Sequence, residues 1–252
     1  MRWLAANRIL PKSRSSPHPP DRDIARLKLS QHYRLDSTKP WLLAVGMMRP
    51  GDKLASYGLL AEALDRLPAS LPWSLSVVGD GPVRAEVMAR FAHFAPGRIV
   101  WHGQATTERI AALMADSALY VWPGYGEAYG LAYLEAQAAG LPVVAQRVAG
   151  VPEAVEDGIT ALLSPEGDAG GLAANIVRLL TDAAERAAMG AAAVAAPARP
   201  MPFAAPMGHV SANPIARARS AGTTAAAGVA APARLRINVM SRPSARPRGA
   251  AP

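Results

Sequence analysis

From Trp41 onward, short apolar runs alternate with segments of helical period, and this alternation narrows the fold more than any other feature of the chain. Trp41–Val45, Trp73–Val78, Ile99–Trp101, Ala118–Trp122, Leu141–Ala145 and Ala161–Leu163 are short and largely apolar, as strands covered on both faces are. Between them Ala55–Leu67 sets Leu59, Leu60, Ala63, Leu64 and Leu67 on one helical face. Val83–Phe94, Thr106–Asp116, Gly130–Ala139, Val151–Glu156 and Gly170–Met189 also read as helices, with Thr106 or Thr107 as a cap. Residues 21–34 read as a further short helix with Asp21 at its N-cap. Strand–helix alternation predicts an α/β fold: a Rossmann-like parallel sheet with helices on both faces and right-handed crossovers. Ligands bind such sheets outside the carboxyl ends of the strands. The loops to watch are therefore residues 46–53, 79–82, 102–103, 123–130 and 146–152.

Charge divides the chain. Its 252 residues carry a net charge of +8. Eight of the 27 basic side chains, all Arg, fall in residues 191–252, which hold no acidic residue. The remaining 190 residues are balanced at 19 basic and 19 acidic side chains. The excess thus sits in an Ala/Pro/Arg-rich stretch and not on a folded face, which argues against specific nucleic-acid binding. Residues 1–20 and 191–252 are expected to be disordered, leaving 21–190 as one folded domain. The loss of acidic residues and periodicity after 190 is read as a frame-shifted or otherwise non-homologous extension. The absence of cysteine excludes disulfides and thiolate metal sites and suits a cytoplasmic setting. No apolar run reaches the ~18 residues of a membrane span, so membrane contact is expected to be peripheral at most.

The chemistry-bearing stretch is Glu127-Ala-Tyr-Gly-Leu-Ala-Tyr-Leu-Glu135. Glu127 precedes a turn, Gly130 lets backbone approach a ligand closely, and Glu135 falls inside the following helix. Free N–H groups at that helix start, with the helix dipole, suit a phosphate. Carboxylates on either side suit sugar hydroxyls, so the combination fits a nucleotide-sugar. Taken singly, the residues have plainer readings. Glu135 alone reads as a solvated helix residue, Glu127 as a carboxylate favoured by the dipole, and Arg49 and Lys53 as loop charges. Tyr129 and Tyr133 read as packing residues, His102 as structural, and Glu153 as a helix cap.

The ordered set resembles the nucleotide-sugar-binding half of retaining glycosyltransferases with the GT-B fold, specifically the group-1 (family 4) type. The elements are Val78-Gly-Asp-Gly-Pro82, Gly103, the Glu127/Glu135 pair, Gly140-Leu-Pro-Val-Val-Ala145, Gly150-Val-Pro-Glu153 and Val155-Glu-Asp-Gly158. The family places an Arg directly after the first-strand Gly; here Gly46 is followed by Met47 and Met48, then Arg49 and Lys53. The resemblance implies that Glu127 holds the transferred sugar, and that Arg49 and Lys53 neutralise the diphosphate. It implies that Gly46, Gly103, Tyr129, Gly130, Leu131 and Glu135 contact the nucleotide, with Glu135 on the ribose. It implies retention of configuration, no metal or other cofactor, and a glycan or lipid-linked acceptor. Only 40 residues precede Trp41, so the acceptor half is expected to be missing or supplied by a separate chain. The alternative is a non-catalytic nucleotide-sugar-binding fragment. A nicotinamide oxidoreductase is disfavoured, because Gly46-Met-Met-Arg-Pro-Gly51 lacks the second glycine of that fingerprint.

Overall fold

A computed structural model describes residues 26–28, 30–31 and 35–196. The expectations for residues 1–20, for Asp21 and for residues 197–252, including disorder of the extension, lie outside the described residues.

The elements follow the order β1 (Trp41–Val45), α1 (Asp52–Asp65), β2 (Ser74–Val78), α2 (Arg84–Arg90), β3 (Ile99–Gly103), α3 (Thr107–Asp116), β4 (Leu119–Val121), α4 (Leu131–Ala138), β5 (Val143–Gln146), α5 (Val151–Ala154), β6 (Ala161–Ser164), α6 (Ala169–Thr181) and α7 (Ala183–Ala195). The six strands form one sheet in the order β3-β2-β1-β4-β5-β6. Every pairing is parallel: Trp41–Val45 runs in register with Ser74–Val78, and Leu42 and Leu43 face Leu119 and Tyr120. This is the Rossmann-like α/β architecture that the alternation predicts. Chain order reverses between β1 and β4, and the right-handed crossovers send helices to opposite faces on either side of that point.

Burial explains the strand pattern. Trp41 to Ala44, Leu75, Val77, Leu119 to Val121 and Val143 to Ala145 are all fully buried, as strands covered on both faces must be. β3, at the edge, is half-buried throughout. Each buried Val or Leu is worth about 1.5–3 kcal/mol relative to exposure, and the buried residues form one continuous core.

Helix ends follow side-chain chemistry. Thr106 caps α3, accepting the Arg109 N–H at 3.4 Å. Asp168 caps α6, accepting the Gly171 N–H at 2.8 Å. The single helix expected over Gly170–Met189 is two: Asp182 leaves the helical region and its carboxylate accepts the Glu185 N–H at 2.8 Å, starting α7. α7 then continues to Ala195, five residues beyond the boundary that composition places at 190. α5 opens on Gly150, which has no side chain to cap it, and Glu153 lies in its first turn.

Candidate functional site

The loops after β1, β2 and β3 are stitched together by backbone hydrogen bonds at the carboxyl edge of the sheet. Gly46 N donates to Val78 O at 3.0 Å, Met48 N to Asp80 O at 2.9 Å, and Gly79 N to Gly103 O at 2.8 Å. Gly46 is confined from the side as well: a Cβ there would lie 2.8 Å from the Trp122 ring. Its carbonyl accepts the Tyr57 hydroxyl at 2.7 Å, and Tyr57 meets Trp122 edge to face at 4.8 Å between centroids. Val45 O accepts the Tyr120 hydroxyl at 3.3 Å. Buried tyrosines therefore hold the carbonyls from which the β1 loop departs. Beyond them Met48 turns inward, while Met47 and Arg49 are exposed.

α1 begins at once, with Lys53 in its first turn, and the chain returns to the same place after β4. Lys53 Nζ lies 2.8 Å from Glu127 Oε2, with both side chains about one-fifth exposed or less (16% and 21%). The other oxygen, Glu127 Oε1, accepts the Gly130 N–H at 3.2 Å. The Glu127 backbone is pinned on both sides: its N–H donates to Gly124 O at 3.1 Å, and its carbonyl accepts the Gly150 N–H at 2.9 Å. Lys53 Nζ also sits 5.7 Å from the centre of the Trp122 ring. Gly130 has φ 63°, and a Cβ there would lie 2.5 Å from the Ala154 methyl, so this turn requires glycine. α4 then opens without a side-chain cap.

Glu135 lies one turn into α4 and is exposed by area, yet desolvation by surrounding protein still pushes its carboxyl pKa up. Burial holds the Tyr120 hydroxyl pKa well above its ordinary value, and the charges of Glu127 and Glu135 both add to that shift. The two acids thus act on one buried hydroxyl at the crossover between β1 and β4. Tyr129 and Leu131, beside Glu127, are about half exposed. Tyr133 is buried and its hydroxyl donates to Trp122 O at 3.1 Å. Tyr133 thus fits the packing reading.

The structure therefore joins Lys53, Glu127 and Gly130 in direct contact. Gly46 directly follows β1 and Gly103 ends β3, while Tyr129 and Leu131 bracket Gly130 in sequence. Arg49 lies in the loop that leads into α1 but is exposed and does not join the Lys53–Glu127 pair. The supports Tyr57, Tyr120 and Trp122 escaped the sequence reading. Each lies within an apolar stretch, and nothing in the spacing separates a hydroxyl that holds a loop from one that only packs. Among the described residues, no three His, Asp or Glu side chains gather into a group fit for a metal ion. No described helix is long and apolar enough to cross a membrane. A groove of about 460 Å³ lies at the other end of the sheet, against Ser117, Pro142, Arg186 and Val194. It is remote from this chemistry.

Known proteins share the architecture. The chain is 28% identical over 162 residues to the N-acetyl-alpha-D-glucosaminyl L-malate synthase of Bacillus anthracis, covering 64% of this chain and 41% of that protein. It is 31% identical over 172 residues to the D-inositol 3-phosphate glycosyltransferase of Mycolicibacterium paratuberculosis, covering 56% and 39%. The chain thus spans about two-fifths of the length of these curated relatives. Among solved structures, Anabaena HepE in complex with UDP and glucose superposes with a TM-score of 0.61 at 23% identity, over 72% of this chain and 47% of that one. WaaG, a glycosyltransferase involved in lipopolysaccharide biosynthesis, gives 0.59 at 27%, over 71% and 47%. These neighbours share the GT-B glycosyltransferase fold. Residues 39–182, more than half of the chain, match the family described as "Glycosyl transferases group 1", and the chain belongs to that family.

Proposed function

We propose that the described domain is the nucleotide-sugar-binding, C-terminal half of a family 4 glycosyltransferase. It would deliver a sugar from a nucleotide-sugar to a glycan or lipid-linked acceptor with retention of configuration, in the cytoplasm. The observation that carries this reading is the convergence of Lys53, Glu127 and the Gly130 amide where the sheet reverses its strand order. Family membership and the UDP and glucose reported with HepE support it.

The chemistry needs positive charge where the leaving diphosphate becomes more negative. In this proposal Arg49 offers a planar two-pronged donor, Lys53 a point charge, and the amides near Gly130 and Leu131 the helix-start contribution. These groups carry the charge without a metal. Glu127 holds hydroxyls of the transferred sugar, and Glu135 holds the ribose. Gly46 and Gly103 admit the nucleotide closely, and Tyr129 flanks it. The acceptor hydroxyl is the nucleophile. It enters on the face from which the diphosphate leaves, so the anomeric configuration is kept.

A second reading is nucleotide-sugar binding without transfer. In it the described domain supplies the donor side, and the acceptor side comes from residues outside the described domain or from a separate chain. Calorimetry with UDP-, GDP- and ADP-sugars, run beside a transfer and hydrolysis assay, separates the two. Both readings require binding of at least one nucleotide-sugar and a loss of about tenfold or more in affinity for Lys53→Ala. Turnover by the chain alone selects transfer, and binding without turnover selects the second reading. No binding of any nucleotide-sugar rejects both.

A further inference from the structure

Both carboxylate oxygens of Glu127 already have a partner. One oxygen takes the Lys53 ammonium at 2.8 Å and the other takes the Gly130 N–H at 3.2 Å. Both partners belong to the set that the donor reading assigns to a diphosphate. The Gly130 amide has one hydrogen to give, so a carboxylate and a diphosphate compete for it, and on a shared Lys53 ammonium the two anions would repel at close range. We infer that Glu127 is a resident anion that plugs the diphosphate seat of the unliganded chain and swings away only for a ligand bearing sugar hydroxyls. This inference rests on the donor reading and adds to it a rule for which nucleotides the site accepts.

The backbone shows how the plug can move. Hydrogen bonds to Gly124 O and from Gly150 N fix the main chain of Glu127, so the seat is cleared by side-chain rotation, with no loop displacement. Lys53 stays near the site when Glu127 leaves, since the Trp122 ring lies 5.7 Å from its Nζ. Gly130 is held by its own turn, its carbonyl accepting the Tyr133 and Leu134 N–H groups at 3.0 and 3.1 Å, and it keeps its N–H in place. A bare nucleoside diphosphate must break both Glu127 contacts and offers the freed carboxylate nothing. A nucleotide-sugar breaks the same contacts but gives the carboxylate hydroxyl donors in exchange. The plug therefore disfavours the spent nucleotide relative to the loaded donor and limits inhibition by product.

The test is calorimetry on the full chain with UDP, GDP and ADP, each beside its glucose conjugate. The wild-type chain is expected to bind a glucose conjugate more tightly than the matching diphosphate. In Glu127→Gln the neutral amide still accepts the Gly130 N–H, but the ion pair is gone. The bare diphosphate should then bind about fivefold more tightly, the scale of one partly exposed ion pair, and the advantage of the conjugate should shrink. Glu127→Ser, which reaches neither partner, should shift affinity in the same direction. Lys53→Met should weaken diphosphate binding with or without the Glu127 change. Diphosphate affinity that is equal or lower in both folded Glu127 variants overturns the plug and leaves the donor reading standing. A wild-type chain that binds none of these nucleotides overturns both.

Discussion

His102, the penultimate residue of β3, has Nδ1 accepting from Arg109 Nη2 at 3.2 Å. Burial first, and the nearby guanidinium second, hold its pKa down to about 4. The folded chain therefore prefers the neutral ring, while an unfolded chain takes up a proton near pH 6.5. Between about pH 6.5 and 4 the unfolded state binds more protons, so this residue lowers stability as the pH falls through that window. The whole shift corresponds to roughly 3 kcal/mol, and partial solvent contact reduces it to about 2. Glu135 works in the opposite sense, because its raised pKa lets the folded state bind the extra proton. Urea unfolding of wild type and His102→Gln at pH 7 and pH 4.5 isolates the histidine. The variant should lose less stability on acidification, and equal losses in both proteins would reject the assignment. Residues of this kind differ in how far sequence reveals them. The Glu127–Gly130 turn was legible because a glycine three residues after a charged side chain marks a turn in sequence. Tyr57 and Trp122 were not, because their hydroxyl and ring-face contacts arise only when α1 and β4 meet in space.

Elements were legible wherever burial repeats with the period of the element. All six strands fall where apolar runs predict them, since parallel strands covered on both faces leave little room for polar residues. Helix boundaries were less legible. The apolar stripe of residues 170–189 continues across Asp182 without a change of period, and only the capping bond to Glu185 N reveals the break. Arg178 strengthens that corner, its Nε lying 2.9 Å from Glu185 Oε2, and Arg186 donates to Leu179 O. Asp182→Ala should remove the cap while leaving the exposed ion pair, at a cost of about 1 kcal/mol. Asp182→Asn, which keeps an acceptor, should recover most of that loss. Denaturant titration of the three proteins checks this, and equal stability of the Ala and Asn variants would show that the carboxylate does not hold the corner as a cap.

At the scale of the whole molecule, the reversal of strand order between β1 and β4 gathers the site loops at one edge and leaves the opposite edge to be closed by other means. Part of that closure is a clamp built on Arg26. Its guanidinium donates to Asp116 O and Lys39 O, each at 2.7 Å, and to Ser37 O at 3.2 Å. Its plane also lies 4.0 Å from the ring of Trp41, the first residue of β1. One side chain thus joins the approach to β1 with the carboxyl end of α3, where the cation also meets the negative end of the helix dipole. Trp41 Nε1 donates to Asp36 O at 2.8 Å and fastens the same turn from inside. Carbonyls held by a charged donor contribute more than neutral pairs, about 1.5–3 kcal/mol for such a bond, and the bonds here share a single cation. Arg26→Ala should therefore lower global stability by about 2–3 kcal/mol and speed amide exchange in residues 35–40, with little effect on Lys53 and Glu127 at the far edge of the sheet. Arg26→Lys keeps the charge but reaches fewer of these carbonyls and loses the planar stack, so it should recover less than half of the loss. Hydrogen-exchange mass spectrometry beside thermal unfolding reads both effects. Exchange in residues 35–40 that stays at the wild-type rate in Arg26→Ala would show that this turn is held by Trp41 and Asp36 alone.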